Sequence, residues 1–455
     1  MLLYYKMPSC DTCGKEFTTH SGLQKHKTKK IPCKPPTHLI ETAIHRTLEQ
    51  AGALHLEVPT SDFRDASKQF HTTLSKRERM DQGIFFTPKK VRDLLFSTIT
   101  RFDIKPTSIL EPSFGSGEFL LDARRLYPDA KLYGVEKNPI LFQSVMCKDS
   151  VLTCCDFLDW VGSADLIIGN PPYFVIPSDK ALVKKYANCM TGRPNIYILF
   201  LYKCLTEHLN PDGVLAFIIP TSLYNCSYYQ PMRNYIKEYT TILHMETLVK
   251  PGFFETAQDT MLIIIKNKKI HDDYIFVSKT DSIYLSPFYK ELRETSPHTT
   301  TLYELGFGVK TGNVVWNQVK DKLTDDNQHT LLIYSHNISS GELVINNLCG
   351  EERKQYVTLD KPTLSGPVIL VERGYGNTFH FNFAVVDMPV FYAENHINVI
   401  YPKTKDAEKH FGSIVKSFKD PRHMNFIRWF IGNGSMPATD LEKVIPIFSD
   451  VQHDN

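Results

Sequence analysis

The chain has 455 residues, 42% hydrophobic and 22% charged, with a formal net charge of +2. That length accommodates about two or three domains, and the composition is ordinary for a globular protein that buries large cores. The near-neutral balance excludes binding of nucleic acid through overall charge, so any such surface is local; no apolar run nears the ~18 residues of a membrane-spanning helix.

The ten cysteines are uneven, with three in the first 33 residues. Lys6, Cys10 and Asp11 stand where a secretory leader would need an apolar core, so an intracellular protein is expected. Cys10, Cys13, His26 and Cys33 have the spacing of tetrahedral zinc ligands with a stretched last gap. Phe17 and Leu23 fall where a ββα finger places its two core residues. Residues 1–35 therefore resemble a zinc finger of the Cys-Cys-His-Cys kind, whose folding free energy would come mostly from structural zinc. Seven lysines against Asp11 and Glu16 before residue 35 suit phosphate contact, and equally a protein-docking or solvated face. Residues 36–76 read as a helical linker, with apolar positions at helical spacing over 38–52.

A first catalytic segment begins near residue 77. Gly83 to Pro88 precedes a helix, with Thr87 expected as its N-cap and Pro88 in its first turn. A strand at 108–110 runs into Glu111-Pro112-Ser113-Phe114-Gly115-Ser116-Gly117, and 118–126 reads as a helix. Strand, glycine-rich turn and helix make a cradle for a nucleoside, because glycine lets a ligand approach the backbone. The next strand, 131–135, ends in Glu136, suited to a ribose diol. Asp156 and Phe157 follow a third strand and offer a carboxylate and a ring. The fourth strand, 165–169, runs into Asn170-Pro171-Pro172-Tyr173. Two prolines cannot continue a ladder, so the chain leaves the sheet in a stiff loop presenting an amide, freed carbonyls and a phenol ring. Four consecutive strand tips with polar or glycine-rich groups suit a doubly wound sheet, whose ligands lie beyond the carboxyl ends.

In this order, residues 83–266 resemble the gamma class of DNA adenine-N6 methyltransferases, the Taq-like group. Asn195-Ile196-Tyr197 with Phe200 matches the next motif except that Asn195 replaces the common aspartate, and 213–220, introduced by a turn at Asn210 to Gly213, matches the strand after it. The resemblance implies an α/β, Rossmann-like methyltransferase domain over 77–275 that uses S-adenosylmethionine. Thr87, Glu111, Pro112, Phe114, Gly115, Gly117, Glu136, Asp156 and Phe157 would hold the cofactor. Tyr173 and Phe254, with Phe253 as the other candidate, would sandwich a flipped adenine. Asn170 and the Pro171 carbonyl, on the loop stiffened by Pro172, would accept its amine protons. The partner implied is double-stranded DNA, with RNA open, bound by a monomer.

Residues 276–455 carry no motif of comparable strength and read as a mixed α+β domain, which in the gamma class recognises the target sequence. Its polar loops at 310–313 and 373–377 place Arg373, Asn313 and Asn377 as candidates for base edges. No acidic pair followed by Glu-x-Lys is present, so no fused nuclease is expected. Two further readings remain at this point. One is a protein glutamine-N5 methyltransferase, which also uses Asn-Pro-Pro-Tyr but lacks a long segment after its core. The other is a non-catalytic nucleic-acid binder with the same fold.

Overall fold

The computed structural model describes residue 67 and residues 86–448, apart from 146, 148, 177–183, 193–194, 249–258, 340, 347, 349, 351, 375–380 and 432–433. The finger, the linker helix at 38–52, Phe253, Phe254 and Asn377 lie outside the described residues.

A seven-stranded sheet organises the first half. Its strands are β1 (Ser108–Glu111), β2 (Lys131–Glu136), β3 (Ser150–Cys154), β4 (Ala164–Gly169), β5 (Leu209–Pro220), β6 (Thr241–Leu248) and β7 (Thr260–Lys266). Their spatial order is β3-β2-β1-β4-β5-β7-β6, with β7 antiparallel to both neighbours. Ile109, Leu110, Leu166, Ile167, Ile168 and the apolar side chains from Leu215 to Ile219 are fully or almost fully buried. Continuous apolar runs of this kind are what a sheet covered on both faces requires.

The helices are α1 (Lys89–Thr100), α2 (Glu118–Leu126), α3 (Pro139–Ser144), α4 (Ile196–Lys203) and α5 (Gln230–Tyr239). Gly117 precedes α2 with φ of +78°, and a Cβ there would come 2.7 Å from Val145 Cγ1, so glycine is required on both counts. Asn195 caps α4, its side chain accepting from Tyr197 N. Two expectations are corrected. Pro88, not Thr87, stands at the N-cap of α1, because the Thr87 hydroxyl is engaged elsewhere. The turn expected at Asn210 to Gly213 is absorbed into the start of β5, where Asp212 takes φ of +61° and donates its N–H to the Asn267 carbonyl, while the Gly213 carbonyl accepts from Asn267 N.

Beyond β7, strands Phe307–Thr311, Ile397–Pro402, Val368–Glu372 and Phe383–Val386 form an antiparallel sheet in that spatial order. Helices Phe411–Phe418 and Pro421–Phe430 share a core with it through Ile414, Phe418, Phe426 and Phe430. The strands that precede the two polar loops singled out above end side by side, since Thr311 and Val371 both pair with Asn398.

Helix Ala438–Lys443 carries Asp440, whose Oδ1 accepts from the Tyr284 hydroxyl at 3.0 Å. Burial pushes this carboxyl up to about 7, against the pull of Tyr284 and Arg233. A carboxyl raised on folding adds stability that is fully present below the unfolded value, about pH 4, and is lost as pH rises through about 7. Asp440→Asn is therefore expected to remove a slope of about 1.4 kcal/mol per pH unit across that window. Denaturant unfolding of both proteins from pH 4 to 8 checks it.

Candidate active site

The strand order places the carboxyl ends of β3, β2, β1 and β4 side by side, all four parallel. Their tips border a cavity of about 500 Å³, a size that suits a small-molecule cofactor. Pro112, Gly115, Glu136, Asp156, Phe157, Asn170 and Pro172 line it, so seven of the residues singled out from sequence meet there. Phe86, Ser113, Lys137, Asn138, Pro139, Leu141, Phe174, Ile196 and Phe200 complete the lining.

Glu136 ties the cradle together. One carboxylate oxygen accepts from Gly115 N at 2.8 Å and the other from Asn138 N at 2.7 Å. Burial raises its pKa, while those same N–H groups pull it back. Glu111 lies behind the loop, only 2% exposed, with one oxygen accepting from Leu120 N at 3.1 Å. Burial, with Glu118 and then Glu136 nearby, holds its carboxyl well above the ordinary range. Phe114 is buried beneath the loop and packs against Phe142 at 6.1 Å. Glu111, Phe114 and Gly117 thus shape the cradle from outside the cavity lining.

At the β3 tip, Asp156 Oδ2 pairs with Lys137 Nζ at 2.8 Å and Oδ1 accepts from Leu158 N at 3.0 Å. Burial works to raise its pKa, but Lys137 and the Leu158 N–H bring it below the usual carboxylate value. Phe157 packs against Phe200 with ring centroids 4.8 Å apart.

At the β4 tip, the Asn170 amide is held from both ends. Nδ2 donates to Thr87 Oγ1 at 3.0 Å, and Oδ1 accepts from the Tyr173 hydroxyl. The Ile218 carbonyl lies 2.6 Å from the same hydroxyl, so the single phenol proton is shared between two acceptors. The Tyr173 ring is 5% exposed and stands edge-on to Tyr197, so the phenol does not present the open face expected of it; Phe174 lines the cavity instead. The physical reason is the hydroxyl, which when buried seeks acceptors and finds them in Asn170 and Ile218. Pro171 is buried beside it.

Thr87 does not line the cavity; it orients Asn170. A threonine hydroxyl at a helix entry reads as a cap from sequence, and only the fold shows the amide 83 positions away that it meets. Thr87→Val keeps the shape and removes the acceptor. It is expected to lower turnover by about tenfold with little change in cofactor affinity, checked by single-turnover kinetics beside a binding titration.

Of the lining residues given no role from sequence, Ser113, Lys137, Asn138 and Phe200 sit inside or beside motifs already recognised, and their neighbours were the available signal. Leu141 gave none. Among the described residues no group of three or more His, Cys, Asp or Glu side chains is arranged to hold a metal. Cys10, Cys13, His26 and Cys33 lie outside those residues, as does Phe254.

The sheet order and the cavity at its carboxyl edge define a Rossmann-like methyltransferase fold. A family model described as "Eco57I restriction-modification methylase" matches residues 131–253. The chain is 34% identical over 409 residues to modification methylase CviBIII of Paramecium bursaria Chlorella virus NC1A, covering 85% of this chain and 99% of that protein. It is 31% identical over 397 residues to type II methyltransferase M.CvrRI of Paramecium bursaria Chlorella virus XZ-6E, with the same two coverages. Among solved structures, TrmN from Thermus thermophilus is 15% identical with a TM-score of 0.27, covering 39% of this chain and 48% of that one. This chain belongs to the type II restriction-modification methyltransferase family.

Proposed function

We propose that the protein is a site-specific DNA methyltransferase of the gamma class, moving a methyl group from S-adenosylmethionine to N6 of an adenine flipped out of the duplex. The observation that carries this reading is the Asn170 amide, fixed at the β4 tip on the wall of the cavity.

The cavity residues fit the cofactor. Gly115 leaves one wall without a side chain, Glu136 and Asp156 supply acceptors, and Phe157, Leu141 and Phe200 supply apolar surface. The Ser113 hydroxyl on the same wall is buried and has no hydrogen-bond partner among the described residues, as a group awaiting a ligand would be. Gly115 with its loop would hold the methionine portion, Glu136 the ribose, and Asp156 with Phe157 the adenine. Bound there, S-adenosylmethionine supplies an electrophilic methyl group.

The protein's own contribution is orientation. Asn170 Oδ1, which accepts from Tyr173 in this structure, would accept one exocyclic amine proton. The Pro171 carbonyl would accept the second proton. Held at both protons, the amine nitrogen keeps its lone pair free for transfer, so no general base is needed beforehand. Alignment then does most of the catalysis. Tyr173 and Phe254 would stack on the extruded ring, recovering ~1–3 kcal/mol per aromatic. In this reading Tyr173 turns from its buried position as the base enters.

Residues 276–455 serve as the target-recognition domain on double-stranded DNA, and Cys10, Cys13, His26 and Cys33 hold structural zinc in the appended finger. Incubation with unmodified DNA and methyl-labelled cofactor, followed by sequencing that detects methyladenine, tests the central claim. Label in protein glutamine with none in DNA overturns it. For the finger, Cys10→Ser is expected to lose bound zinc, read by elemental analysis, while methylation of short duplexes persists.

A further inference from the structure

Beneath the Asp156–Phe157 end of the cavity lies a buried cation that the proposed mechanism does not use. Lys203, the last residue of α4, is 5% exposed. Its Nζ donates to the Trp160 carbonyl at 3.1 Å and to His208 Nε2 at 3.1 Å, pairs with Glu207 at 3.1 Å, and lies 5.6 Å from the centre of the Phe157 ring. His208 Nδ1 bonds the Gly162 carbonyl at 2.6 Å, which assigns Nδ1 as the protonated nitrogen and leaves Nε2 to accept from lysine. The imidazole stands 5.1 Å from both the Phe157 and the Trp160 rings. The segment bearing it, Cys204–His208, is a π-helical turn, a rare form that recurs at functional sites.

A lysine this deep costs free energy unless its position returns something. Among the described residues its anionic partner is Glu207, itself half exposed, beside a carbonyl, a neutral imidazole and an aromatic face. Neither Lys203 nor His208 lines the cavity, whereas Phe157 and Asp156, directly above them, do. We infer that Lys203 and His208 are positioning residues for the cofactor cavity, fixing the Phe157 ring from below and keeping Asp156 ready as an acceptor for the adenine end. Lys203 also acts on Asp156 as a nearby positive charge, in the same sense as Lys137 and the Leu158 N–H. This rests on the assignment of Asp156 and Phe157 to that end of the cofactor.

The test is calorimetric titration of S-adenosylhomocysteine into the full chain and its Lys203→Met and His208→Gln variants from pH 5.5 to 8, with the His208 imidazole followed by NMR. Lys203→Met is expected to weaken binding about tenfold. The groups facing His208 are Lys203, Glu207, the Gly162 carbonyl and the two rings. Burial first and Lys203 after it hold the imidazole pKa low, so it should rise in the same variant. A merely structural lysine would not move that titration together with ligand affinity. Wild-type affinity in folded Lys203→Met overturns the inference. If that variant does not fold, His208→Gln decides: weaker binding supports positioning, and unchanged binding overturns it. Asp156→Asn tests the premise, because unchanged affinity there removes the cofactor assignment itself and this inference with it.

Discussion

Asn170→Ala is expected to lower methyl transfer by on the order of 10³-fold while cofactor affinity stays within about threefold of wild type. The amide is the one side chain of the β4 tip that faces the cavity and is also held by two partners, Thr87 and Tyr173. On the proposed reading its removal takes away the acceptor for an amine proton, and it also removes an acceptor of the Tyr173 hydroxyl. Gly115, Glu136, Asp156 and Phe157 remain, and these are the groups assigned to the cofactor. Single-turnover rates on DNA with titration of S-adenosylhomocysteine separate the two quantities. A loss of affinity beyond about tenfold, at near-normal rate when saturated, would mean that the β4 loop builds the cofactor pocket instead.

Arg233→Met is expected to cost about 3–5 kcal/mol of stability, the largest effect of any single change away from the site. Arg233 is 1% exposed. Its guanidinium donates to the carbonyls of Ile283, Leu223 and Cys226 and to the Gln230 side chain, and lies 5.5 Å from the Tyr284 ring. Methionine fills much of the volume but leaves the buried carbonyls of Ile283 and Leu223 without that donor, each such loss costing about 1–3 kcal/mol. The Cys226 carbonyl keeps the Tyr229 N–H. The arginine also offsets part of the burial penalty on Asp440, so its loss raises that carboxyl further. Urea unfolding should show the midpoint falling at an unchanged slope. A drop under about 1 kcal/mol would show that water or a shifted neighbour replaces the donor.

The catalytic half was legible because its signals are local. Short apolar runs ending in Glu136 or Asn170 mark buried parallel strands, and α2 begins and ends where the glycine turn and its apolar spacing place it. The convergence of the strand tips followed from topology alone. Side-chain orientation was the hidden part. A threonine before a proline looks like a cap, and a tyrosine after two prolines looks exposed. Asn170 and the Ile218 carbonyl, one 83 positions from Thr87 and the other 45 from Tyr173, decided otherwise. Lys203 carried no signal at all, since a lysine closing a helix normally points to water. The C-terminal region was read only as mixed and loop-rich, because its pairings join residues far apart in the chain, as Phe307 with Pro402 and Thr301 with Pro446.

The π-helical turn at Cys204–His208 lies between α4, which ends at Lys203, and β5, which begins at Leu209. A helix repeats every 3.6 residues and a strand every two, so a direct junction leaves little freedom in how the two periodicities meet. The wider turn acts as a phase adjuster. It accommodates an extra residue, so that α4 keeps Phe200 on the cavity wall while β5 starts in the register that buries Leu215, Phe217 and Ile219. Deleting the exposed Thr206 would restore an ordinary helical repeat but would shift the strand by one residue, exchanging its two faces. Sequence variation at this junction is therefore constrained in length more tightly than in chemistry.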